Sequence, residues 1–121
     1  MLKDLLKAVL PKSAIKKLSN IRNNYLDVYS LKSYSQEGED MILRRLFENQ
    51  ATGFYVDVGA HHPQRFSNTY FFYKKGWRGI NIDAMPNSMN LFNKIRARDI
   101  NIEKPVSKKK QVLTYYAFNE P

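Results

Sequence analysis

Three short runs rich in β-branched and aromatic residues, 54–58 (FYVDV), 79–83 (GINID) and 100–106, alternate along the chain with stretches whose apolar residues recur at helical spacing. This alternation restricts the fold more than any other feature, because strand, crossover helix and strand together make the repeating unit of a parallel sheet. Gly53 introduces the first run and Gly59-Ala60 ends it, which reads as a buried parallel strand. Ser67 is placed to cap a helix that runs to about Lys75, where two lysines and Gly76 supply the cations and the glycine of a helix C-terminus. The second strand, 79–83, is broken by Pro86, and Asn87 or Ser88 then caps a helix to about Arg96 with Met89, Leu91, Phe92 and Ile95 as its apolar residues. The third strand is expected over 100–106 and a fourth over 112–118. The resulting order, helix, β, α, β, α, β, β, is the beginning of a doubly wound α/β sheet.

Ahead of the sheet lie three helical segments. Leu2, Leu5, Leu6, Val9 and Leu10 form a short stripe ended near Pro11, and a second stripe after Ser13 carries Ile15, Leu18, Ile21, Tyr25 and Val28 with Lys16, Lys17 and Arg22 outward. Together they read as a basic amphipathic arm, 1–31, in front of a domain over 32–121. Such an arm either packs its stripe on the domain or lies on an anionic membrane surface or partner. A third helix from Ser35 has Glu37, Glu39 and Asp40 in its first turn, where the helix dipole favours anions, and Gly38 where a capping glutamate would stand.

At 121 residues the chain is too short for two independent domains. The net charge of +9 is unevenly spread: residues 1–35 sum to +5, 36–66 to −2 and 67–121 to +6. A uniform nucleic-acid-binding face is not expected from that pattern. Cysteine is absent, which excludes disulfides, thiolate-held metal and thiol catalysis and suits a reducing cytosol. The first ten residues are too short and too charged for a secretory signal, and no apolar run reaches membrane-spanning length. The expected location is cytoplasmic, with any membrane contact peripheral and made through residues 1–30.

In a parallel sheet, ligands bind at the carboxyl ends of strands. There the chain places Asp57-Val58-Gly59-Ala60 after the first strand and Asp83 at the end of the second, about where an acid accepts two hydrogen bonds from a ribose diol. A pyrophosphate wants several bare glycine amides, and only Gly59 is present, so a nucleoside without phosphate, such as S-adenosylmethionine, suits the turn better. Asp57 either contacts such a cofactor or holds loop amides. His61 and His62 are adjacent and point in different directions, which suits a metal poorly. His61 is a candidate general base for a substrate hydroxyl, since imidazole titrates near neutrality.

Four blocks in order, Tyr34-Ser35-Gln36-Glu37-Gly38-Glu39-Asp40, Phe54-Tyr55-Val56-Asp57-Val58-Gly59-Ala60-His61-His62-Pro63, Ser67-Asn68-Thr69-Tyr70 and Gly76-Trp77-Arg78-Gly79-Ile80-Asn81-Ile82-Asp83, resemble the FkbM family of S-adenosylmethionine-dependent methyltransferases. The resemblance implies a class I, Rossmann-like methyltransferase fold and methyl transfer to a hydroxyl, often on a sugar. By matching position it implies cofactor contacts at Asp57, Gly59, Ala60 and Asp83, with Gln36 or Glu37 closing over the pocket. His62 and Pro63 stand where other members carry glycine. The family's sheet has more strands than the four strand-like runs found here, so the resemblance implies a truncated, cofactor-binding half with little activity alone and an apolar sheet surface prone to self-association. The competing expectation is a noncatalytic basic module that binds an anionic partner.

Overall fold

A computed structural model describes residues 9–116. These divide into two compact units, the break falling between Lys32 and Ser33. The expected helix over 2–10 lies largely outside the described residues.

The first unit contains α1, Lys12–Tyr25. Pro11, with φ −59°, takes the N-cap position that Ser13 was expected to hold, and its carbonyl accepts the Ile15 amide at 3.1 Å. A proline there already has a helix-compatible φ and lacks an N–H that would otherwise go unsatisfied. The helix ends at Leu26, whose backbone is extended, so Val28 of the expected stripe falls beyond it.

The second unit is mixed α/β: α2 (Glu39–Leu46), β1 (Phe54–Val58), α3 (Tyr70–Lys74), β2 (Arg78–Asp83), α4 (Ser88–Ile95) and β3 (Ile100–Glu103). The strands form an open parallel sheet in the order β1-β2-β3. Register pairs Asp57 with Asn81 and Val58 with Ile82 across the first two strands, and Ile82 with Ile102 across the second pair. Strand order does not reverse among the described residues, and Val112–Tyr116 of the expected fourth strand is not a strand; its remainder lies outside the described residues. The third strand also stops early. Pro105 has no amide hydrogen to donate, so a ladder cannot run through it.

Because side chains alternate along a strand and parallel partners share a face, the sheet has two unlike surfaces. One carries Tyr55, Asp57, Gly79, Asn81 and Asn101. Here α3 packs on β2 and α4 on β3. Gly79 is required for space, since a Cβ would run into the Tyr55 ring. The other surface carries Phe54, Val56, Val58, Ile80, Ile82, Ile100 and Ile102, and Phe54, Val56, Val58 and Ile100 are each between 57% and 61% exposed. Buried apolar packing lies instead at the strand ends, where Ala60 meets Met89 and Phe92, and between Phe72 and Trp77, whose rings are 4.8 Å apart and are edged by the exposed Phe47.

Two expected helix starts shift. The helix expected from Ser35 begins at Glu39, behind a left-handed Gly38 with φ 88°. A Cβ at Gly38 would meet nothing within 4 Å, so the glycine serves backbone conformation and not close approach. Ser67 does act near the start of α3, its Oγ accepting the Tyr70 amide at 3.1 Å.

Candidate functional site

The ends of β1 and β2 are joined through one carbonyl. Parallel register sets Val58 beside Ile82, and the Ile82 oxygen accepts the amides of both Gly59 (2.9 Å) and Ala60 (3.1 Å). To make both bonds the chain turns sharply at Gly59, whose φ of 74° is accessible to glycine at little cost. Asp83 clasps the loops on either side: its Oδ2 accepts the His61 amide at 2.8 Å and its Oδ1 the Met85 amide at 2.7 Å. A carboxylate has about four acceptor positions, so each oxygen keeps capacity for one more donor.

His61 (φ 55°) and Phe66 (φ 55°) both hold left-handed backbones, and their rings stack with centroids 6.2 Å apart. With Gln36 and Gly59 they line a cleft of about 370 Å³, within the usual range for small-molecule sites. Between them, the His62 Nδ1 accepts the amides of Gln64 (3.0 Å) and Arg65 (2.9 Å). An imidazole used as a double acceptor must be neutral at that nitrogen. Burial, the neighbouring His61 and the Arg65 and Arg96 charges lower the His62 pKa in the same direction.

Beneath the cleft lies a polar layer. Arg96 is fully buried; its Nε donates to the Pro63 carbonyl (2.8 Å), Nη1 to Thr69 Oγ1 (2.7 Å) and Asn81 Oδ1 (3.0 Å), and Nη2 to Ser67 Oγ (2.6 Å). Thr69 Oγ1 in turn donates to Asp57 Oδ2 at 2.6 Å. Asp99 completes the layer, accepting Tyr55 Oη (2.5 Å), Asn81 Nδ2 (3.0 Å) and the Gly79 amide (3.0 Å). Burial and then the Asp99 acceptor push the Tyr55 pKa up, which keeps the phenol a donor. Burial pulls the Arg96 guanidinium down, and the neighbouring Tyr55 hydroxyl and the Asp57 and Asp99 carboxylates oppose it.

Gln36 reaches the cleft from a separately braced loop. Asp40, fully buried, accepts Ser33 Oγ (2.5 Å), the Tyr34 amide (2.9 Å) and Ser35 Oγ (2.8 Å). Burial raises its pKa, but these hydrogen bonds outweigh that and hold it below the usual carboxylate value. The Tyr34 carbonyl then accepts the Ser67 amide at 2.9 Å, tying this loop to the one after β1.

The structure therefore brings Gln36, Gly59 and His61 to one cleft, with Asp83 hydrogen-bonded to its wall. Ala60 is buried behind the turn, against Met89 and Phe92. Asp57 does not line the cleft; it joins the Thr69 and Arg96 layer. Glu37 does not line it either, being exposed with its amide on Glu39 Oε2 at 3.0 Å. Sequence reasoning missed Phe66, Arg96 and the bracing role of Asp40. Among the described residues, no three His, Asp or Glu side chains are grouped so as to hold a metal ion. Comparison of the chain with models of known families, with curated proteins and with solved structures finds no match.

Proposed function

We propose that the second unit is the cofactor-binding part of an S-adenosylmethionine-dependent methyltransferase, of class I architecture and similar to the FkbM family, acting on a hydroxyl of a sugar or like acceptor. The observation that carries this reading is the shared Ile82 carbonyl. It sets the glycine turn against the tip of β2, so that Asp83 and the Gly59–His61 backbone form one wall.

The same bonds argue against a pyrophosphate ligand. The amides of Gly59, Ala60 and His61 are engaged by Ile82 and Asp83, whereas a phosphate site needs amides free to donate. A nucleoside makes the opposite demand, for acceptors. Asp83 retains that capacity for two ribose hydroxyls, and a charged acceptor makes each such bond worth about 1.5–3 kcal/mol. When bound, S-adenosylmethionine supplies an electrophilic methyl group on a sulfonium. The chain's own part is to hold donor and acceptor in line, with His61 at the cleft wall receiving the acceptor's hydroxyl proton.

Calorimetric titration with S-adenosylmethionine tests the reading. One saturable site is expected, weakened about tenfold or more in Asp83→Asn, which preserves an acceptor for the His61 or Met85 amide while removing the charge. Equal heats in the two proteins, or none in either, would remove the ribose role from Asp83.

A further inference from the structure

We propose that α1 binds an anionic lipid surface, lying in the plane of the membrane interface. The helix carries Lys12, Lys16, Lys17 and Arg22 with no acid among its 14 residues. None of its residues is buried, and Leu18 (55%), Ile21 (45%) and Tyr25 (82%) stand exposed.

At about 100° per residue, Ile15, Leu18, Ile21 and Tyr25 fall within an arc of roughly 120°. Lys17 borders that arc on one side and Lys12 on the other, while Arg22 falls within it, between Ile15 and Leu18, where its long side chain can carry the guanidinium out of the strip. Low overall hydropathy with an apolar strip edged by cations is the composition of an interfacial helix. The strip can sink below the headgroups while the long basic side chains reach up to lipid phosphates, and a tyrosine is suited to the boundary. A nucleic acid fits less well, because the strip between Lys17 and Lys12 would stay wet against phosphates. At about 21 Å the helix is too short to cross a bilayer, and no described helix is long and apolar enough to do so.

The full chain should co-sediment with vesicles of phosphatidylglycerol mixed with phosphatidylcholine, not with phosphatidylcholine alone, and less so as salt rises. Each cation near such a surface contributes about fivefold in partition, so Lys16→Gln with Lys17→Gln should weaken binding about 25-fold. Leu18→Ser with Ile21→Ser removes apolar area without altering charge, and should cost at least as much while leaving the circular dichroism of the chain unchanged. Equal binding to neutral vesicles, no binding to anionic ones, or undiminished binding by the double serine variant would overturn the proposal. The last result would mark a purely electrostatic surface of the kind that nucleic acid also satisfies. None of these outcomes bears on S-adenosylmethionine binding by the second unit.

Discussion

Asp83, the last residue of β2, holds the backbone amide of His61 at 2.8 Å across 22 positions of sequence, and its second oxygen holds Met85. One carboxylate thus shapes both loops at the carboxyl end of the sheet. Asp83→Ala should cost about 1–3 kcal/mol in urea unfolding, because two amides lose a charged acceptor. Asp83→Asn should cost less. Unfolding of the alanine variant at the wild-type midpoint would show that water replaces the clasp freely.

Arg96 is the most heavily committed side chain of the support layer, with four hydrogen-bonded partners and no exposure. Arg96→Met should destabilise by about 3–5 kcal/mol, since it leaves Asp57 and Asp99 without their buried cation. Arg96→Lys should recover little of that loss: an ammonium cannot reproduce a planar fork that reaches Pro63, Thr69, Asn81 and Ser67 together. Thermal unfolding of the two variants measures both effects.

Acidification should weaken the fold in two stages. The folded His62 titrates below its ordinary 6.5, so its contribution is complete above that pH and declines as the pH falls toward the folded value. Asp40 likewise titrates below its ordinary 3.8; its contribution is present above that value and is lost as the pH falls through the folded pKa. Urea midpoints measured down the pH scale should therefore begin to drop below 6.5, and His62→Gln should flatten that first stage alone. A midpoint that rises on mild acidification would contradict the neutral double-acceptor role of His62.

The uncovered face of the sheet should drive self-association. Phe54, Val56, Val58 and Ile100 present a continuous apolar surface, and β1 and β3 leave both edges open among the described residues. Sedimentation velocity should show mass rising with concentration, and Val56→Lys with Ile100→Lys should restore the monomer. Concentration-independent monomer in the wild type would show that the face is covered in solution.

How much of the fold and site was legible in the sequence depends on the range of the forces involved. Strands β1 and β2 show in local composition, α3 between them in its Ser67 start and Gly76 end, and α4 in the period of Met89, Phe92 and Ile95. Gly59 and Asp83 were visible as a turn and a strand end, because both roles are set by position along one element. Arg96 was not. Its partners Asn81, Thr69, Ser67 and Pro63 lie 15, 27, 29 and 33 positions away, and an arginine closing a helix reads from sequence as an exposed cation on the dipole. Asp57 illustrates the same limit. Its place at the strand end was legible, but its orientation toward Thr69 depends on which face the helices cover. The fourth strand was misread because Val112 to Tyr116 have strand-forming side chains, yet Val112 is fully exposed and nothing pairs with it among the described residues.

The cofactor site is tested most directly by where S-adenosylmethionine perturbs the chain. In amide proton–nitrogen NMR spectra recorded during titration, Gly59, Ala60, His61 and Asp83 should shift together and saturate at one ligand per chain, with the amides of 12–25 unmoved. Saturation without movement at the glycine turn, or spectra that do not change at all, would contradict a nucleoside site between β1 and β2.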